Sequence, residues 1–216
     1  MQLFPRALNF LPLALAVVTA GAGGAVTFGI WYYFSPKNLQ IGYAPEQPIH
    51  YSHKLHADEL GIDCRYCHIG VDKGPHSTLP ATQTCMNCHQ TVHTKSDKLA
   101  PVRASWETNE PVEWVKVHDL PDYVYFNHSA HVTRGVGCVS CHGRVDQMEE
   151  VNQQEPLSMS WCLDCHRNPE KNLRPPEEVT NMTWAPPDGQ DPIEYGKMLR
   201  EKNHLNPSTD CSTCHR

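Results

Sequence analysis

Apolar residues are concentrated at the N-terminal end of the 216-residue chain. The longest apolar run extends from Ala7 to Phe34 and contains no charged residue. A membrane-spanning helix needs about 20 apolar residues, whereas the apolar stretch of a secretory signal peptide has about 7–15. The run closes with the aromatic residues 31–34, which are typical of a membrane interface. We therefore predict a transmembrane anchor over residues 1–35.

The flanks of this segment predict its orientation. Arg6 and the amino terminus precede the run, and positive charge favours the cytoplasmic side. We expect a single-pass protein of the cytoplasmic membrane, with its N-terminus in the cytoplasm and the rest of the chain on the periplasmic face. Cleavage after the small residues 20–22 is the alternative, in which the segment would act as a signal peptide. Residues 36–48 are rich in proline and indicate a linker.

Beyond the linker the hydrophobic pattern predicts only short helices, over residues 53–60, 128–134 and 192–202. Gly61 and Gly135 are expected to end the first two. The third has a proline near its start, an acidic residue in its first turn and a lysine late. Thr91–Glu113 shows no clear period and is expected to be a loop. Residues 168–191 contain five prolines and are expected to be irregular.

The composition shows that side chains alone would form a marginal core. Hydrophobic residues make up 39% of the chain, and the predicted anchor takes a disproportionate share of them. The remainder is rich in histidine (14), cysteine (10) and proline (18), so a non-protein group is expected to fill part of the interior. The formal net charge of −6 provides no basic face for nucleic acid.

The ten cysteines form five pairs, each with two residues between its members and a histidine directly after it. C-x-x-C-H is typical of covalent c-type haem attachment, in which both thiols bind the haem vinyl groups and the histidine ligates iron. A lone C-x-x-C fits a zinc or redox site equally well, but five pairs that are all followed by histidine favour haem. We therefore predict five covalently bound haem c groups, attached at Cys64/Cys67, Cys85/Cys88, Cys138/Cys141, Cys162/Cys165 and Cys211/Cys214, with proximal ligands His68, His89, His142, His166 and His215.

A segment of the form aromatic-x-His-x-x-His occurs twice, each time before a haem-attachment motif. The two copies begin at Tyr51 and Phe126, which are 75 positions apart. The cysteines that follow are offset by 74 (Cys64 to Cys138) and 77 (Cys85 to Cys162). We predict a first two-haem module with a bridging loop over residues 49–117, a second module over 118–170, and a C-terminal segment over 171–216 that carries the fifth haem.

Nine histidines remain as candidates for the second axial position of each iron. A second histidine would give low-spin electron-transfer centres with no open position. Histidines three apart on a helical turn can reach two different irons. This favours the histidines of both aromatic-x-His-x-x-His segments as distal ligands. We expect His53, His56, His118, His128 and His131 as distal ligands, with His204, Met148 and Met159 as further possibilities and His50, His76 and His93 as weaker ones.

The repeated aromatic-x-His-x-x-His ahead of C-x-x-C-H resembles class III multihaem cytochromes of the c3 and c7 type. In that family the paired histidines serve different haems. The order of elements is also similar to the pentahaem cytochrome subunit of alternative complex III, through the N-terminal span and the segments beginning at Pro48, Thr82, Glu113, Tyr125 and Pro156. This resemblance implies short helices wrapped around five haems.

The same resemblance implies a place in a membrane-bound quinol:electron acceptor oxidoreductase. Its partners would be multi-spanning quinol-binding subunits, an iron–sulfur subunit and a monohaem cytochrome c, with a soluble acceptor or a terminal oxidase beyond them. Quinol would be oxidised in a membrane subunit, so no catalytic residue is expected in this chain. Three alternatives are a stand-alone membrane-anchored quinol dehydrogenase, a multihaem nitrogen-compound reductase, which needs an iron with an open position, and a reaction-centre haem subunit.

Overall fold

The structure is a computed structural model that describes residues 5–34 and 40–215. These residues divide into two compact units, one ending at Ile41 and one beginning at Gly42. Residues 1–4, 35–39 and 216 include parts of the predicted anchor, linker and C-terminal segment, and lie outside the described residues.

The first unit is dominated by one helix, α1, over Leu11–Tyr33, which follows a 3₁₀ turn over Arg6–Phe10. Pro12 lies in the first turn of α1, where its missing N–H costs no helical hydrogen bond. The apolar span Leu8–Tyr33 has a mean hydropathy of 1.9. At 1.5 Å per residue, a helix of this length exceeds the hydrocarbon thickness of about 30 Å. The unit is therefore compatible with a membrane anchor.

The second unit consists of short helices and turns, and its described residues contain no β-strand. Eight α-helices follow one another, separated by irregular segments. They are α2 (Cys64–Cys67), α3 (Thr82–His89), α4 (Ala100–Thr108), α5 (His128–Val132), α6 (Val139–His142), α7 (Met159–Arg167), α8 (Pro192–Lys202) and α9 (Cys211–Cys214). A π-helical turn covers Lys54–Glu59, and 3₁₀ turns cover Asp97–Leu99, Val145–Gln147, Glu170–Asn172, Pro176–Glu178 and Pro187–Gly189.

The predicted helices form where the local signals indicated. The Asp191 carboxylate accepts hydrogen bonds from the N–H groups of Ile193 and Glu194 and so caps α8. The π-helical turn Lys54–Glu59 and α5 occupy the other two predicted segments. Gly61 and Gly135 follow them with φ of 66° and 82°, a left-handed conformation that glycine adopts at little cost.

The prediction of a loop over Thr91–Glu113 is wrong, because α4 lies within it. Pro101 in the first turn fixes a helical φ, and Asn109 ends the helix with φ of 59°. Val102 and Ser105, three residues apart, are the buried residues of α4. The helix is short and only this narrow face is buried, so its sequence carries no extended hydrophobic period.

Few hydrophobic side chains are fully buried in the second unit. One cluster consists of Ile49, Met86 and Val102, with Cys85 and Trp114 among the partly buried residues packed against it. The other buried hydrophobic residues of the described chain are Leu173, Val179 and Leu199. Such a core is small for a unit of this length, as the composition predicted.

The two aromatic-x-His-x-x-His segments dock on each other's modules through equivalent hydrogen bonds. The N–H of Lys54 in the first segment donates to the carbonyl of Met148 at 3.1 Å. The N–H of Ser129, at the equivalent position of the second segment, donates to the carbonyl of Gly74 at 3.1 Å. Gly74 and Met148 each lie six residues after a proximal histidine, so the repeat in sequence is also a repeat in structure.

Helix α8 packs closely against the turn Glu170–Asn172. Gly196 is buried on the contacting face, and a Cβ atom there would overlap the backbone of Glu170. The Arg200 guanidinium donates a 2.5 Å hydrogen bond to the Glu170 carboxylate, so the contact is both steric and electrostatic.

Replacement of Gly196 by alanine is expected to destabilise the haem-loaded protein by about 1–3 kcal/mol, because helix and turn must separate to admit the methyl group. Denaturant unfolding, followed by tryptophan fluorescence, measures the change. Glu201→Ala, at an exposed position of the same helix, is the control and should stay within about 0.5 kcal/mol of wild type. Equal stabilities of the two variants would contradict the close packing.

Candidate haem-binding site

Each C-x-x-C-H sequence lies on a helical turn. Residues three apart on a helix lie on the same side, with Cβ atoms about 5–6 Å apart. The two thiols of each pair therefore face one direction, as attachment to the two vinyl groups of one haem requires. The cysteine pairs lie in or beside α2, α3, α6, α7 and α9.

None of the ten thiols, all within the described residues, forms a disulfide. Burial raises the pKa of Cys64 to about 11, with a further contribution from Cys138. Burial likewise raises the pKa of Cys141 to about 12, with contributions from Cys165 and Cys162. These thiols are therefore neutral at physiological pH, and several pairs lie close to one another.

Two of the ten cysteines, Cys88 and Cys211, are exposed, whereas the other eight are partly buried. In the second site only Cys85 packs against the hydrophobic cluster of Val102, and Cys88 lies one turn further along α3, beyond that cluster. Attachment of haem at Cys88 and Cys211 is supported by the motif and stays a prediction, in which the haem itself would cover both sulfurs.

Seven histidines donate a hydrogen bond from Nδ1 to a backbone carbonyl oxygen. The distances are between 2.5 and 3.2 Å. Because the carbonyl can only accept, this bond fixes the ring and leaves Nε2 deprotonated for a metal, an arrangement typical of metal-ligating histidine. The donors and acceptors are His56–Ser52, His68–Thr78, His89–Val92, His128–Pro75, His131–Asn127, His166–Ser208 and His215–Tyr123.

Two pairs of these rings face each other across a gap of similar width. The ring centres of His56 and His89 are 6.3 Å apart, and those of His131 and His166 are 6.1 Å apart. A metal–imidazole bond is about 2.0–2.1 Å long, so two imidazoles on opposite sides of one metal have ring centres roughly 6 Å apart. The two pairs are equivalent in the repeat. Each contains the second histidine of an aromatic-x-His-x-x-His segment, His56 or His131, and the later proximal histidine of the same module, His89 or His166.

A third group of histidines surrounds His142. Its ring centre is 4.5 Å from that of His118, which is closer than in the two facing pairs. Burial lowers the pKa of His142 to about 3, and the neighbouring His118 and His128 contribute. Burial also lowers the pKa of His53 to about 4, with a contribution from His68. These imidazoles are therefore neutral, which is the form that binds a metal.

Two buried ring nitrogens in this group have no hydrogen-bond partner. They are Nδ1 of His53 and Nε2 of His118. An unpaired buried polar atom costs about 1–3 kcal/mol unless it gains a partner. Ligation of iron by the orphaned nitrogen of His118 would remove one such cost. The fixed ring orientations, the facing pairs and the neutral imidazoles all fit haem as the bound group.

An aromatic ring holds each pair of histidines, a role that the sequence pattern did not reveal. Tyr51 stacks on His56 with ring centres 4.4 Å apart and meets His53 edge-on at 4.8 Å. Phe126 repeats this geometry on the second segment, at 4.6 Å from His131 and 4.7 Å from His128. The aromatic position of the motif was visible in the sequence, but its contact with both histidines requires the folded turn.

The remaining candidate histidines are exposed, although His76 is close enough to His128 to contribute to the lowered pKa of that residue. His50 is exposed, with Nδ1 3.6 Å from the Glu150 carboxylate. His76, His93 and His204 are exposed as well. Met159 is 66% exposed, and the Met148 sulfur accepts a 3.8 Å hydrogen bond from the amide of Asn152.

A buried arginine beside the third attachment site was also missed at the sequence level. Arg174 is 7% exposed, and its guanidinium lies 5.3 Å from the centre of the Trp184 ring. A Cβ atom on Gly137, next to Cys138, would overlap this guanidinium. Arg174 takes part in no ion pair among the described residues, and its Nε has no hydrogen-bond partner. Its Nη1 donates a 2.8 Å hydrogen bond to the carbonyl of Asn181, and the Glu178 carboxylate offsets part of its charge.

Comparison with known proteins agrees with these features. Residues 124–216, which include the last three attachment sites, match the family model for cytochrome c7 and related cytochrome c. The multihaem cytochrome c subunit of menaquinone reductase from Nitratidesulfovibrio vulgaris strain Hildenborough is 28% identical over 197 residues, covering 89% of this chain and 85% of that protein. Together with the five attachment motifs, these comparisons show that the chain is similar to multihaem c-type cytochromes, among them an electron-transfer subunit of a menaquinone reductase.

Proposed function

We propose that the chain is a pentahaem electron-transfer subunit of a membrane-bound quinol:electron acceptor oxidoreductase of the alternative complex III type. The observation that carries the proposal is the presence of five C-x-x-C-H motifs, two of whose histidines face a second histidine ring about 6 Å away. Bound haem would supply five one-electron redox centres. A histidine on both faces of an iron leaves no position for substrate, so the chain relays electrons and does not transform a substrate.

The proposed ligand set follows the ring orientations. His68, His89, His142, His166 and His215 are the proximal ligands. His56 is the distal partner of His89, and His131 that of His166. His53, His118 and His128 are further distal ligands: His118 and His128 lie near His142, and His53 and His128 lie near His68. The protein residues thereby set ligand type and burial, which tune the haem potentials.

The proposed membrane complex accounts for the apolar helix α1. The span Leu8–Tyr33 would anchor the chain in the cytoplasmic membrane, with residues from Gly42 onward in the periplasm, where c-type haem is attached. Multi-spanning quinol-binding subunits, an iron–sulfur subunit and a monohaem cytochrome c are the proposed partners. Electrons would leave to a soluble acceptor or a terminal oxidase.

A second candidate function is suggested by the similar protein from Nitratidesulfovibrio vulgaris, which is a subunit of a menaquinone reductase. In a complex of that kind electrons flow toward the quinone. The haem-binding residues would be the same in both cases, because a relay of bis-histidine centres conducts in either direction. The partner proteins and the potentials determine which direction is used.

The oxidised wild-type protein is expected to contain five haems by pyridine haemochrome assay, all low-spin by electron paramagnetic resonance. His56→Ala should convert one haem to a high-spin form that binds cyanide or added imidazole, because one iron loses its distal ligand.

His50→Ala is the matched control, since His50 is exposed and faces Glu150, so all five haems should stay low-spin. A stoichiometric high-spin haem in the wild type that binds nitrite would instead indicate a nitrogen-compound reductase. An unchanged spectrum for His56→Ala would exclude His56 as a ligand.

The proposed topology predicts that alkaline carbonate leaves the full-length protein in the membrane fraction. Protease added to intact sphaeroplasts should cleave the haem-bearing part, because it lies outside the cytoplasmic membrane. Haem staining of gels after digestion measures the cleavage, and sphaeroplasts opened by detergent provide the control. Protection in intact sphaeroplasts would contradict a periplasmic location, and release by carbonate would contradict the anchor.

The direction of electron flow can be tested in membranes that contain the whole complex. Addition of a quinol under anaerobic conditions is expected to reduce the haems, as followed by the absorbance of the reduced cytochrome. If quinol does not reduce the haems and quinone fully oxidises pre-reduced haems, the result would support the menaquinone reductase function instead. Membranes that lack the chain control for other cytochromes.

A further inference from the structure

The five attachment sites, numbered first to fifth in chain order, are connected by hydrogen bonds between neighbouring sites. The first two are joined through residues between their cysteines. The Asn87 amide, in the second site, donates to the hydroxyl of Tyr66, in the first site, at 3.0 Å. The second site therefore lies directly beside the first.

The first and third sites are held by one short segment of chain. Asp63, directly before Cys64, accepts a 2.8 Å hydrogen bond from the hydroxyl of Thr180. The carbonyl of the preceding residue, Val179, accepts a 2.9 Å hydrogen bond from the N–H of Cys138. Val179 is 1% exposed, so the end of this connection at the third site is buried, whereas the Asp63–Thr180 hydrogen bond is exposed. The first site is thus adjacent to the third, although 74 positions separate them in sequence.

Asn172 connects the third site to the fourth. Its carbonyl accepts a 3.3 Å hydrogen bond from the N–H of Gly137, directly before Cys138. Its side-chain amide donates to the sulfur of Cys165 at 3.2 Å. One residue therefore contacts both sites.

Ser208 connects the fourth site to the fifth. Its carbonyl accepts a 2.5 Å hydrogen bond from Nδ1 of His166 in the fourth site. Its hydroxyl is 2.8 Å from that of Thr213, between the cysteines of the fifth site.

We infer that the haems form one unbranched relay in the order second, first, third, fourth, fifth. This order rests on the proposed function, since it requires a haem at each site. The second and fifth sites are then the two ends of the relay, where electrons are exchanged with partner proteins. Their cysteines Cys88 and Cys211 are the two exposed thiols of the chain, which agrees with ends that are open to partners. Haems held at these sites would pass one electron at a time from one end to the other, and the partner proteins would supply the only oxidant and reductant.

The test is a redox titration of the haem-loaded full chain followed by nuclear magnetic resonance, in which each haem is resolved. Each haem is assigned through contacts with the residues between its cysteines, which differ at all five sites. Reduction of one iron adds negative charge and lowers the midpoint potential of its neighbours, most strongly for the closest. Reduction of the second haem is therefore expected to lower the potential of the first more than that of any other haem.

The third haem is expected to interact most strongly with the first and fourth. If reduction of the second haem instead shifts the potential of the third, fourth or fifth haem most strongly, the order is overturned. If the resonances overlap, iron–iron distances in a structure of the haem-loaded complex provide the same test, since the first iron must lie between the second and third. A haemochrome count below five would contradict the proposed function itself, and it is measured on the same sample.

Discussion

The hydrogen bond from histidine Nδ1 to a backbone carbonyl is the interaction on which the haem-binding unit depends. It fixes seven imidazole rings, and each bond ties a ring to a particular piece of backbone. Several acceptors are distant in sequence: Pro75 orients His128, and Ser208 orients His166. The loops between the attachment sites therefore position ligands as well as connecting helices. These loops must keep their conformation to hold the histidine rings, although few of their side chains are buried in a hydrophobic core.

A core of so few buried hydrophobic side chains would not by itself hold the loops in place. In the described residues from Gly42 onward, buried contacts such as the Val102 cluster and the packing of α8 on its turn are local. Five haems would add a large apolar area between these elements, and burial of apolar surface contributes about 25 cal/mol per Å². Cofactor and fold are thus coupled, because the surfaces that the haems would cover are the ones that the chain leaves without apolar partners.

The sequence predicted the chemistry of the site better than its geometry. The C-x-x-C-H motifs and the paired histidines are local patterns, and α8 carries a complete set of local end signals, so each could be found without a structure. Helix α4 could not, because its burial depends on packing of Val102 against Ile49 and Met86. The backbone acceptors, the contact of Tyr51 with both histidines, and Arg174 beside Gly137 arise only when distant segments meet. No residue type marks them in advance.

In the inferred order of sites, the third, next to Arg174, would lie at the centre of the proposed relay. An electron on a haem at that site would add negative charge close to this guanidinium, which would stabilise the reduced form. Burial of Arg174 costs free energy, and desolvation lowers the pKa of its guanidinium. The hydrogen bond to the Asn181 carbonyl and the contact with the Trp184 ring offset part of this cost. In the proposed relay, the remaining positive charge would therefore raise the potential of a haem at the third site.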